Sequence, residues 1–316
     1  MQPMLKRALY VLLPAVILCS AFLGLYALAL TGGANTVSFA FLIGFPMIAG
    51  AVIYYFKPKN QLNTLWGSIL WLGGITLGSV ALSLISGLEG MVCIAMAVGP
   101  ILFGVMLGGI FMLVALRWRD KSHGTLKAVV APIMLLVALG YAKAPQTTYT
   151  ISNTIIIQAA PSDVYAMLQN IPDIAPSEVP TLPSHWLGIP KPTAAVWEET
   201  SSGAVRHSYW GDGIHFRENI TAVIPDKHIA WDFSFPENWI VDGIQDPHIT
   251  VGSPYFNVLS GSYTLAATKT GTQLTLTTRT YDGSELGAYA KFWHHFFFED
   301  FHEAILTVVK NRVEAL

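Results

Sequence analysis

Residues 8–141 are almost free of charge, and this constrains the chain more than any other feature. A soluble globular protein carries about 25% charged residues, whereas this chain of 316 residues carries 12%, with 53% hydrophobic. The deficit is local, because from Lys143 onward the composition is that of an ordinary soluble domain. Two parts are therefore expected: residues 1–145 as an all-α transmembrane bundle and residues 146–316 as a water-soluble domain.

A helix needs about 20 mainly apolar residues to cross a bilayer, and five segments approach that length: 8–30, 38–56, 65–85, 91–116 and 126–141. The last is the shortest. Lys6 and Arg7 precede the first, Lys57 and Lys59 follow the second, and Arg117, Arg119, Lys121 and Lys127 cluster between the fourth and fifth. Lysine and arginine collect in cytoplasmic loops. Five crossings then put the amino terminus inside and the soluble domain outside, on the periplasmic face if the membrane is a bacterial inner membrane. Four crossings would leave the domain cytoplasmic. The first run is longer than the 7 to 15 apolar residues of a signal-peptide core, so an uncleaved span is expected. Transporters and pumps keep ionisable groups within the bilayer, and here Lys127 stands only at the edge of the fifth segment. An anchoring bundle is the expectation, packed through Gly74 with Gly78 and Gly104 with Gly108.

A net charge of −2 without a polybasic run excludes a nucleic-acid partner. Both cysteines, Cys19 and Cys93, lie in apolar segments, which leaves the soluble part without a thiolate ligand or nucleophile.

Beyond residue 146 the periodicity changes to alternation with β-branched residues. Strands are predicted at 148–157, 194–199, 204–210, 214–224, 228–235, 261–268 and 272–281, a short helix at 163–168, and a proline-rich excursion at 171–192. Residues 289–313 read as a long helix whose Phe292, Trp293, Phe296, Phe297, Phe301, Ile305, Val309 and Val313 recur at spacings of three and four. Such a face must be covered. An α+β fold follows, a curved antiparallel sheet around the C-terminal helix.

This order resembles the helix-grip fold of the SRPBCC superfamily, also called START-like or Bet v 1-like, with its polyketide cyclase/dehydrase and lipid-transport branch. The likeness is carried by Ile155-Ile156-Ile157 leading into Ala160-Pro161-Ser162-Asp163-Val164-Tyr165, by Phe216-Arg217-Glu218-Asn219-Ile220-Thr221 with Pro225 and Ile229-Ala230-Trp231, by Gly261-Ser262-Tyr263-Thr264-Leu265, by Gly271-Thr272-Gln273-Leu274-Thr275-Leu276, and by the terminal helix. It covers about 148–316. The resemblance implies a hydrophobic cavity between sheet and helix; it specifies no activity.

Gly211-Asp212-Gly213 reads as a hairpin turn. Centring it on Asp212 sets Arg206 opposite Glu218, Ser208 opposite Phe216 and Trp210 opposite Ile214, and alternation turns Phe216, Glu218, Ile220 and Ala222 inward. Arg206 and Glu218 are either the polar end of a ligand cavity or a cross-strand pair near the sheet rim contributing about 0.2–1 kcal/mol. Ile229, Trp231, Phe233 and Phe235 share an inward face, as do Tyr263, Leu265 and Ala267. The candidate ligand-binding residues are thus Arg206, Trp210, Glu218, Trp231, Tyr263, Phe292 and Phe296.

No metal site is expected. His295 and Glu299 lie four residues apart, but His302 is about 10 Å from His295 along a helix, and the stretch from His294 to Glu303 reads as a solvated polar face. No nucleophile elbow or phosphate loop is present, and no cofactor is implied. The expected function is a membrane-anchored domain that binds a hydrophobic or amphipathic small molecule, or a lipid. One alternative is a cyclase/dehydrase-like enzyme with Glu218 as acid or base, His207 or His215 being weaker candidates. Another is a scaffold for a membrane partner.

Overall fold

A computed structural model describes residues 38–56, 65–87, 90–119, 146–201, 203–240 and 250–316. The chain divides into two compact units, Met1–Ala144 and Pro145–Leu316.

In the first unit a π-helical turn, Ala40–Gly44, runs into α1 (Phe45–Tyr55). Helices α2 (Leu65–Ile85) and α3 (Met91–Arg119) follow. The expectation of about five spans is corrected here. Among the described residues, two helices are long and apolar enough to cross a membrane, Trp66–Ile85 and Met91–Val114. The helix Phe41–Tyr55 reaches about 22 Å at 1.5 Å per residue, short of a hydrocarbon core of about 30 Å. Segments 8–30 and 126–141 lie outside the described residues. Glycine lets α1 and α3 touch through their backbones: a Cβ on Gly104 would stand 2.3 Å from the Ile43 carbonyl oxygen, and one on Gly50 would stand 2.1 Å from that of Val105. Gly74 and Gly78 face open space instead.

The second unit is a seven-stranded antiparallel sheet and a long C-terminal helix. Its strands are β1 (Thr147–Ile157), β2 (Pro192–Thr200), β3 (Gly203–Trp210), β4 (His215–Ile224), β5 (His228–Ser234), β6 (Phe256–Thr268) and β7 (Gly271–Asp282). They lie in the order β1-β7-β6-β5-β4-β3-β2. Helix α4 (Pro161–Gln169) and the single turn α5 (Pro183–Trp186) stand between β1 and β2, and α6 (Ala288–Glu314) closes the chain. Val308, Val309, Val313 and Leu306 of α6 are buried in one cluster with Leu168, Ile157, Leu274, Trp231 and Tyr263. The helix is gripped by the sheet, as the sequence implies.

Two inward assignments need correction. A bulge between Ile220 and Ala222 breaks the alternation of β4 and leaves Ala222 exposed. Val309 and Val313 of the predicted face are buried, but along the first half of α6 the buried positions are Ala290, His294 and Phe298, followed by His302, and the aromatic part of that face is turned aside, with Phe292 57% exposed.

Candidate functional site

The β3–β4 turn sets the register of the site. Asp212 and Gly213 adopt φ of 58° and 77°, conformations that aspartate and glycine tolerate. Arg206 then pairs with Glu218 and Ser208 with Phe216. The Trp210 amide donates to the Ile214 carbonyl at 2.9 Å.

Arg206 and Glu218 are 2% and 6% exposed, so this ion pair lies inside the domain and not at its rim. Arg206 Nε donates to Glu218 Oε2 at 2.5 Å, and Nη2 bridges to the same oxygen. Nη1 donates to the Leu168 carbonyl at 2.7 Å, in the last turn of α4, where a cation also opposes the helix dipole. Ser208 Oγ donates to Glu218 Oε1 at 3.0 Å. The guanidinium carbon sits 4.8 Å from the Trp231 ring centre and 5.1 Å from that of Tyr263. Burial works against the Arg206 charge, but Glu218 outweighs it and holds the pKa above its ordinary value. Burial pushes the Tyr263 phenol up, with the Arg206 charge pulling the other way. The indole N–H of Trp231 is buried without an acceptor among the described residues.

The sequence-predicted residues therefore divide. Arg206, Glu218, Trp231 and Tyr263 form one cluster on the concave face. Trp210, on the same side of β3, meets Phe301 of α6 at 5.2 Å between ring centres. Phe292 and Phe296 stack on each other at 6.2 Å, outside the two buried clusters of the domain.

Alternation turned Phe216, Phe233 and Phe235 inward but did not place them at the site, where they lie between these groups. Phe216 packs against Phe233 and Phe235 at 5.8 and 5.6 Å, and Phe235 meets Trp239 at 5.0 Å. All four rings, with Trp210 and Phe301, stay only half-buried. Ser208 shares the parity of Arg206, a signal that could have found it; the Leu168 carbonyl leaves no such signal. A cavity of about 560 Å³ opens elsewhere, at the β4–β5 turn, beside Pro161, Lys227, His228 and Ala267.

The histidines also separate. His302 and His294 are buried, correcting the reading of a solvated face. His302 Nε2 lies 2.8 Å from Thr278 Oγ1 and its Nδ1 2.8 Å from Asn153 Oδ1, while His294 Nδ1 lies 2.7 Å from Thr280 Oγ1. Burial lowers both pKa values to about 4, so both rings are neutral at pH 7. His295 and Glu299 pair at the surface at 2.9 Å. On the outer face of the sheet His207 bridges Glu198 at 2.9 Å and His215 at 3.1 Å. Burial, then His207 and Arg217, lower the His215 pKa. Among the described residues no group of three or more histidine, cysteine or acidic side chains is placed to hold a metal ion.

No family model matches the chain, and no curated protein does. The chain is similar to several solved structures. A protein of Nitrosomonas europaea is 12% identical over 53% of this chain and 97% of that one, with a TM-score of 0.33. Norcoclaurine synthase from Thalictrum flavum, a point mutant, is 10% identical over 54% and 97%, also at 0.33. The di-domain ARO/CYC protein BexL of the BE-7585A biosynthetic pathway is 18% identical over 68% of this chain and 63% of its own, again at 0.33.

Proposed function

We propose that residues 146–316 bind an apolar or amphipathic small molecule or lipid in the aromatic cleft of the concave face, and that residues 1–145 anchor this domain to a membrane. One observation carries the reading: Trp210, Phe216, Phe233 and Phe235 on the inner side of the sheet, with Trp239 and Phe301 against them, are only partly buried. Apolar surface contributes roughly 25 cal/mol per Å² when removed from water, so six such rings favour an apolar occupant. Arg206, Glu218, Trp231 and Tyr263 form the buried polar and aromatic cluster that such an occupant would meet on the same face. The unpartnered Trp231 N–H supports a ligand acceptor there, since buried donors are normally satisfied. Both Glu218 oxygens already accept hydrogen bonds, which supports holding a ligand over transferring a proton.

Native mass spectrometry of the detergent-extracted chain tests this. A retained small molecule that is lost in Trp210→Ala and Phe216→Ala variants of unchanged circular dichroism is the expected result. A chain that carries no adduct and takes up no added phospholipid or fatty acid overturns it.

A further inference from the structure

The first three turns of α6 carry Tyr289, Phe292, Trp293 and Phe296, at i, i+3, i+4 and i+7. Their rings pack on one another: Tyr289 to Trp293 at 6.2 Å, Phe292 to Trp293 at 5.3 Å and Trp293 to Phe296 at 5.4 Å. None belongs to either buried cluster of the domain. A run of aromatic rings outside the core, with Phe292 57% exposed, is apolar surface of the kind that settles at a lipid headgroup boundary.

The position of the stripe within the domain specifies its occupant. Thr147, where β1 begins, pairs with Asp282 at the end of β7, and the Tyr149 hydroxyl donates to the Gly287 carbonyl at 3.2 Å, one residue before α6. The chain thus enters the domain at the end that carries the stripe. Five residues separate Thr147 from Tyr141, the last residue of the fifth apolar segment, and the six steps between them span at most about 20 Å when fully extended.

We propose that the Tyr289, Phe292, Trp293 and Phe296 stripe of α6 docks in the headgroup layer of the bilayer that holds the chain, turning the Trp210 and Phe301 side of the aromatic cleft toward the lipid. The inference rests on the membrane-anchor reading and adds to it the surface that touches lipid.

The test uses the full chain with Cys19→Ser and Cys93→Ser, a nitroxide on Phe292→Cys or Phe296→Cys, and phosphatidylcholine/phosphatidylglycerol nanodiscs. Lys269→Cys, in the β6–β7 turn at the other end of the domain, is the reference. The expected result is a ratio of oxygen to water-soluble nickel-chelate accessibility several-fold higher at 292 and 296 than at 269. Equal ratios, with the chain incorporated in the discs, overturn the docking and leave the anchor intact. Labels shielded from both quenchers also overturn it, because protein then covers the stripe. A chain that does not enter discs sinks the anchor and the docking together. Circular dichroism matching the unlabelled chain verifies the fold.

Discussion

Trp231 lies across Gly261 on the neighbouring strand, so close that a Cβ on the glycine would stand 2.4 Å from indole Cε2 and Cζ2. The missing side chain is what lets the indole lie down, and the flattened ring forms the surface under the Arg206 guanidinium. Gly261→Ala must lift the ring or shift the strand. Overpacking of this kind costs about 1–3 kcal/mol. The expected outcome is a lower denaturation midpoint of the chain in detergent, with a red-shifted tryptophan emission. An unchanged midpoint would contradict the close approach.

The burial of Arg206 and Glu218 sets a second magnitude. A pair at the sheet rim would lose about 0.2–1 kcal/mol on truncation. Breaking a buried pair by removing one partner instead costs about 3–5 kcal/mol, because the other charge is stranded. Glu218→Gln should fall in the larger range by urea denaturation. The double variant Arg206→Met with Glu218→Leu should lose less than the sum of the single changes. A loss below 1 kcal/mol for Glu218→Gln would return the pair to the rim.

The order of strands was legible because alternation and turn chemistry act locally: Gly211-Asp212-Gly213 alone placed Arg206 against Glu218. Depth was not legible. Nothing in the pairing arithmetic says that α4 passes over β3 and offers its Leu168 carbonyl to Arg206, a contact 38 residues distant in sequence. Hydrophobic periodicity placed Ile305, Val309 and Val313 correctly but misassigned the first half of α6. It favoured Phe292, Trp293, Phe296 and Phe297 as the gripped face, yet Ala290 and Phe298 pack below, and His294 and His302 find hydroxyl partners on β7. Polar residues that bury through such long-range bonds carry no periodic signal. The bulge after Ile220 escaped for a related reason: one inserted residue leaves the composition of β4 unchanged and reverses its facing.

Arg312 ties the proline-rich excursion to the last turns of α6. Its Nε donates to Glu178 Oε2 at 2.6 Å, Nη1 to the Pro172 carbonyl at 2.6 Å, and Nη2 to the Asp173 carbonyl and Glu178 Oε1, both at 2.9 Å. One planar fork thus holds three residues of a segment with little regular structure of its own. Arg312→Ala should raise amide hydrogen exchange across 171–182 while the β6–β7 hairpin stays protected. Lysine at this position should restore only part of the protection, since it cannot reproduce the fork. Uniform exchange in wild type and Arg312→Ala would remove this role.

Acid should destabilise the domain in two successive windows that overlap slightly between pH 4.5 and 4. His294 and His302 titrate near pH 4 in the folded chain, chiefly through burial, against an ordinary value of 6.5. The unfolded chain therefore binds more protons between these values, so stability is complete above about pH 6.5, declines as the pH falls, and levels off below about 4. The loss is on the order of 3 kcal/mol for each ring. Glu178 is held down to about 2 from 4.5, first by its hydrogen bond to Arg312, so its contribution is present above 4.5 and disappears as the pH falls toward 2. Denaturation midpoints of the wild-type chain should thus slope from pH 6.5 to 4 and again below 4.5. In His302→Gln the upper slope should fall by about half, with the lower one unchanged, whereas Arg312→Ala should flatten the lower slope alone. A wild-type midpoint that is level between pH 6.5 and 4.5 would show that these imidazoles are not buried against β7.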